Sequence, residues 1–191
     1  MTGVCSPPFA HAARDLAQLL LRPLPGRWRH TIGVARAAGE VAHLLDGEDP
    51  DVLIAAAWLH DIGYGPTIAE TGFHPLDGAR YLDRLRWPAR IGALVAHHSG
   101  ATYLASALGL GVAVDAYPRE VTALSDALTY ADQTTGPDGH RISLDDRLSE
   151  ALARHGSSSA YAAARARREP HLRALVRRVE ARLSRAGTAP E

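Results

Sequence analysis

Apolar residues recur along this chain at intervals of three and four. Pro and Gly cut the pattern into segments, and no stretch sustains the two-residue alternation of a strand. The pattern predicts an all-α fold. After a loose start at residues 1–8, a first helix runs to about Leu21, where "RPLPG" stops it, and a second covers about residues 27–45. Asp49 is a good N-cap and Pro50 a good first-turn residue for a third helix, expected to end at Gly63 as its C-terminal cap. Residues 52–59 of that helix are all apolar, so it has no face to offer water and should be central. Further helices are predicted at about residues 75–85, 88–99, 118–132 and 143–155, and at 159–184 in two pieces broken by Pro170. Residues 109–118, "GLGVAVDAYP", read as a loop or a short extended piece. A chain of 191 residues without internal repeats is expected to form one domain over residues 9–186, with flexible ends at 1–8 and 187–191.

Against this apolar background a few polar side chains take inward positions. The stripe Val34, Ala38, Val41 and Leu45 extends back one turn to His30. Ile91, Leu94 and Val95 share a face with His98, whereas His97 falls under Arg90 and Ala93. Val121, Leu124, Ser125 and Leu128 line up with Asp132. His60 and Asp61 end the apolar third helix, and His74 stands just before Pro75 at a helix start. Each alone reads as a hydrogen-bonded core histidine or a helix cap. Together they are six imidazoles and carboxylates from five segments, and buried carboxylates are costly unless paired or metal-bound. A metal cluster satisfies all six at once. Imidazole with carboxylate suits Fe, Mn, Co, Ni or Zn rather than Ca. An aspartate can bridge two cations through its two oxygens, and a helix C-terminus favours positive charge.

Composition narrows the picture. Basic and acidic residues balance at 21 each, so no bulk charge draws the chain to a nucleic-acid polymer or a membrane surface, and a small-molecule partner is expected. All 21 basic residues are arginine; the absence of lysine and asparagine excludes a lysine base and N-glycosylation. The single cysteine, Cys5, can form no internal disulfide. There is no run of ~18 apolar residues and no signal pattern, so a cytoplasmic protein is expected.

The order His30, His60-Asp61, Asp132 resembles the H…HD…D signature of the HD superfamily of metal-dependent phosphohydrolases. His74 and His98 are similar in placement to the extra histidines of its two-metal members, and the resemblance covers about residues 27–147. "AHHSG" and "YADQTTGPDG" look most like the small single-domain HD hydrolases, which include enzymes cleaving diadenosine polyphosphates and nucleotide monophosphates. The resemblance implies an HD-type helical bundle with one or two divalent transition-metal ions. One ion would be held by His30, His60, Asp61 and Asp132, and Asp61 would bridge to a second held by His74 and His98. Asp61 and His60 would be the catalytic pair, with hydroxide made available at the metal. The implied substrate is a nucleotide or similar small phosphorylated metabolite.

One departure from the family pattern changes where phosphate recognition should lie. Many HD hydrolases carry lysine in HDxGK, and here that place is Tyr64. The task then falls to arginine. Arg36 and Arg80, each six residues after a proposed ligand, and Arg141, after "TTGPDG", are the candidates, with Tyr64 and His97 as further substrate contacts. Residues 134–139 either border the pocket or form only a tight turn. His11, His43, His140, His155 and His171 read as surface or packing residues. The leading function is hydrolysis of a phosphoester or phosphoanhydride bond. One alternative is a di-iron oxygenase, because members resembling myo-inositol oxygenase use the same ligands to activate dioxygen. Another is nucleotide binding without turnover.

Overall fold

The computed structural model describes residues 8–187 apart from Asp46 and Ser157; the loose ends expected at 1–7 and 188–191, and Cys5, lie outside the described residues. Pro8 and Gly187, expected to be flexible, fall inside helices. The helices are α1 (Pro8–Leu21), α2 (Pro25–Val41), α3 (Pro50–Leu59), α4 (His74–Arg84), α5 (Ala89–His97), α6 (Ala101–Ala107), α7 (Gly111–Asp115), α8 (Ala123–Gln133), α9 (Leu144–His155) and α10 (Ala160–Gly187). Short 3-10 turns occupy Ala42–Leu44, Ile62–Tyr64 and His98–Gly100. Among the described residues there is no strand, only an isolated bridge between Thr135 and Arg141. The fold is all-α.

α3 is central because it is packed on two sides. Its Leu53, Ala56 and Ala57 share one core cluster with Val34 and Ala38 of α2 and Leu124 and Leu128 of α8, which Leu175 and Val179 of α10 complete. Its Ala55 and Leu59 share a second cluster with Ala13 and Ala17 of α1 and Ile91 and Val95 of α5, which Leu82 of α4 joins. Burying each such leucine contributes about 1.5–3 kcal/mol. A smaller cluster of Phe73, Leu76, Ala101, Ala105 and Val114 fastens α6 and α7 to α4.

Several boundaries differ from expectation, each for a local reason. α3 stops at Leu59, and Gly63 does not cap it. Gly63 instead permits a close approach, since a Cβ there would lie 2.0 Å from the His74 carbonyl oxygen. α8 begins only at Ala123, where Thr122 and Ser125 form a reciprocal capping box. Residues 111–115, expected to be loop or extended, form α7, which buries Val114. α6 was not predicted at all. α10 runs unbroken through Pro170 because both halves are anchored, by Tyr161 and Ala164 before it and by Leu172, Leu175, Val176 and Val179 after it. No helix of the described residues is long and apolar enough to cross a membrane.

Candidate metal centre

The six inward side chains converge. His30 Nε2 lies 3.0 Å from Asp132 Oδ1 and 3.7 Å from Asp61 Oδ2. His60 Nε2 lies 3.3 Å from the same Asp61 Oδ2. Asp61 Oδ1 faces the other way, 3.2 Å from His74 Nε2, which in turn is 3.3 Å from His98 Nε2. Two groups result, His30/His60/Asp132 and Asp61/His74/His98, with donor atoms in each within 4.8 Å of one another. The Asp61 carboxylate has one oxygen toward each group.

Backbone carbonyls set the orientation of the rings. His30 Nδ1 donates to the Gly136 carbonyl (3.0 Å), His60 Nδ1 to Ala57 (2.7 Å) and His98 Nδ1 to Val95 (2.7 Å). A carbonyl can only accept, so in each neutral ring the proton sits on Nδ1 and the Nε2 lone pair points into the cluster. The turn at residues 134–139 therefore stands behind His30 and does not line the cavity on which the cluster opens. It comes that close because Gly33 and Gly139 meet without side chains; a Cβ on Gly33 would lie 2.4 Å from the Gly139 carbonyl oxygen. Ser99, in the left-handed region at φ 56°, turns the chain after His98. Its amide donates to Thr129 Oγ1 (3.1 Å), its carbonyl accepts from Arg168 Nε (2.8 Å), and its hydroxyl donates to Asp132 Oδ2.

The electrostatics are those of a cation site. Burial favours the neutral form of Asp61, but Arg27, His60 and His74 overcome it and hold the carboxyl well below its usual range. For Asp132, burial is likewise outweighed, by His30, Arg147 and His60. Burial drives His74 well below the ordinary imidazole value and His98 to about 4, so both stay neutral donors. On His60 burial opposes charge, yet Asp61 and Asp132 raise its pKa. His60 Nε2 is buried without a hydrogen-bond partner, and the His98 Nε2 lone pair faces His74 Nε2 at 3.3 Å. Four imidazole nitrogens and two carboxylates arranged this way fit one or two divalent transition ions.

A family model described as the HD domain matches residues 27–136, more than half of the chain. The chain belongs to the HD-domain family. HD domains bind divalent metals, and all six donors lie within the matched HD segment. The comparison with curated proteins gave no match, and neither did that with solved structures.

The HD cluster opens on a cavity of about 330 Å³ lined by Asp61, His74, His98 and Asp132. Of the expected substrate contacts only Tyr64 lines it, stacked on His74 at 4.0 Å with the Arg27 guanidinium 4.1 Å from its ring centroid. Arg36 and Arg80 do not. Six residues is one and two-thirds helical turns, which carries a side chain about a third of a turn away from the ligand's face. Arg36 is exposed and pairs with Glu40 at 3.8 Å, and Arg80 lies near Tyr117. Arg141 is held over the Tyr130 ring and donates to its hydroxyl. His97 is spent on structure: Nε2 donates to the Tyr117 carbonyl (2.8 Å) and Nδ1 accepts from Thr102 Oγ1 (3.2 Å).

The arginines that do reach the cavity are Arg27, Arg147, Arg154 and Arg168. Arg27 donates to Asp61 Oδ2 at 2.8 Å and Arg147 to Asp132 Oδ1 at 3.2 Å. Arg154 is 3.7 Å from Glu150, and His155, read from sequence as surface or packing, lines the cavity stacked on Tyr161. Helical spacing held the signal for these residues. Arg27 is three before His30, and Arg147, Ala151 and Arg154 share a face of α9.

Proposed function

We propose that this HD protein is a metal-dependent phosphohydrolase that cleaves a phosphoester or phosphoanhydride bond of a nucleotide or similar small phosphorylated metabolite. The observation carrying this reading is that the His/Asp cluster opens on a cavity whose other charged side chains are all arginines, apart from the titratable His155 at its edge. His30, His60, Asp61 and Asp132 would hold one ion, and His74 and His98, with Asp61 between, a second. When bound, such ions supply Lewis acidity and lower the pKa of coordinated water toward neutrality.

The chain's own residues prepare that chemistry. Arg27 and Arg147 keep Asp61 and Asp132 ionised, and the Nδ1 hydrogen bonds of His30, His60 and His98 keep their Nε2 lone pairs aimed inward. Tyr64, whose phenol burial and then Asp61 push up to about 12, remains protonated near neutral pH. It stacks on His74 and so holds that ring in place. Asp61 would orient the attacking water, with His60 beside it. The arginines supply the charge that lysine supplies in HDxGK, binding a phosphoryl group through planar forks.

The test is an anaerobic assay of manganese-reconstituted protein against pooled nucleoside mono-, di- and polyphosphates. Release of phosphate or nucleotide that disappears in Asp61→Ala is the expected result. Silence there, together with oxygen uptake by the iron-loaded form, overturns the reading in favour of oxygen chemistry.

A further inference from the structure

Among the arginines of the cavity, Arg168 differs in having only neutral partners. It belongs to the α10 stripe Tyr161, Ala164, Arg168, Leu172 and Leu175, so helix geometry turns it inward, and it is 8% exposed. Its Nε donates to the Ser99 carbonyl (2.8 Å) and Nη1 to the Tyr161 hydroxyl (3.0 Å), while Nη2 makes only a long contact of 3.5 Å with Gln133 Oε1. The Tyr161 ring lies 5.1 Å from the guanidinium carbon. Among the described residues no carboxylate comes within ion-pair distance of it. Arg27, Arg147 and Arg154 each have one. A buried cation without a counter-charge is costly. A guanidinium has five N–H donors, so hydrogens on Nη1 and Nη2 remain to be used.

We propose that Arg168 binds the substrate's phosphate, placing its unspent Nη hydrogens on two phosphoryl oxygens. The inference rests on the hydrolase reading and deepens it: the specificity-determining cation comes from α10, beyond the matched HD segment. Its neutral partners suit the task, because the Ser99 carbonyl and the Tyr161 hydroxyl fix the fork without cancelling its charge. The competing role is that of a strut. Arg168 holds Ser99, whose backbone follows His98 and whose hydroxyl meets Asp132, so a strut would act on metal retention, whereas an anion site acts on phosphate.

Calorimetric titration of inorganic phosphate into manganese-loaded protein separates the two, comparing the unmodified chain with Arg168→Gln and Arg168→Lys. Manganese content and helical circular dichroism are read on the same samples. Gln should weaken phosphate binding by about tenfold or more, the size of a lost charge-assisted contact, with manganese content unchanged. Lys should fall between, keeping the charge and losing the fork. Parallel loss of manganese and phosphate in Gln assigns the strut and overturns the proposal. Phosphate binding equal in Gln and the unmodified chain removes Arg168 but leaves the hydrolase reading standing; an unmodified chain that takes manganese but no phosphate brings down both. Should the variants not fold, the Nε–Hε nitrogen-15 resonance of Arg168 in the unmodified, zinc-loaded protein decides. A saturable shift on adding phosphate is expected, and a resonance that does not move overturns the proposal.

Discussion

The cavity is lined by two unlike regions. The donors come from α2 and α8, from residues 60 and 61 after α3, from the first residue of α4 and from residue 98 just after α5, all within residues 27–136. They are mostly buried, and three of the four rings are pinned through Nδ1 to a carbonyl. Three of the four cavity arginines come instead from α9 and α10, after the matched segment, and range from buried Arg147 and Arg168 to the more open Arg154. The candidate metal donors and most of the cavity's positive charge thus sit on separate stretches of chain, joined where Arg147 donates to Asp132. A substitution at Arg154, whose ion-pair partner is Glu150 and not a donor, should leave metal binding standing.

The strongest way to break that separation is Asp61→Ala. It removes the carboxylate shared by both groups, so metal affinity should fall by more than about a hundredfold, beyond the 10–100-fold typical of residues behind the ligands. Helical content should hold. Metal analysis after dialysis, with circular dichroism, checks both. Full occupancy in the variant contradicts the assignment.

A smaller effect is expected at Gly63→Ala, where the added methyl meets the His74 carbonyl oxygen at 2.0 Å. The 3-10 turn carrying Ile62 and Gly63 must move off α4, costing about 1–3 kcal/mol in denaturant unfolding. His74 should shift with it, so less metal is retained at the His74/His98 group while the His30 group keeps its ion. An unchanged midpoint would mean the close approach is not needed.

The smallest effects sharpen the comparison from the other side. Arg154→Gln should raise KM several-fold at constant metal content. Arg36→Gln, whose side chain is turned to Glu40, should alter stability by no more than about 0.5 kcal/mol, and both it and Arg141→Gln, whose side chain is turned to Tyr130, should leave KM alone. A KM change at Arg36 equal to that at Arg154 would return phosphate recognition to α2.

The two regions were not equally legible. Polar residues in an apolar stripe marked His30, His98 and Asp132, because burial imposes helical register on whatever occupies it. The same criterion, applied to arginine, picks out Arg168 between Ala164 and Leu172. An expected break at Pro170 cut that stripe in two, and counting residues after a ligand led to Arg36 and Arg80 instead. The α7 segment misled for another reason: five residues with one buried side chain give helical periodicity too little length to show. Contacts such as Gly136 on His30 join residues 106 apart in sequence and leave no local signature.

The most direct measurement is an anomalous-scattering map of crystals of the unmodified protein saturated with manganese. Two peaks are predicted, one among His30, His60 and Asp132 and one between His74 and His98, with the Asp61 carboxylate reaching both. A single peak at saturating metal would contradict the dinuclear arrangement, and manganese bound only elsewhere would contradict the site itself.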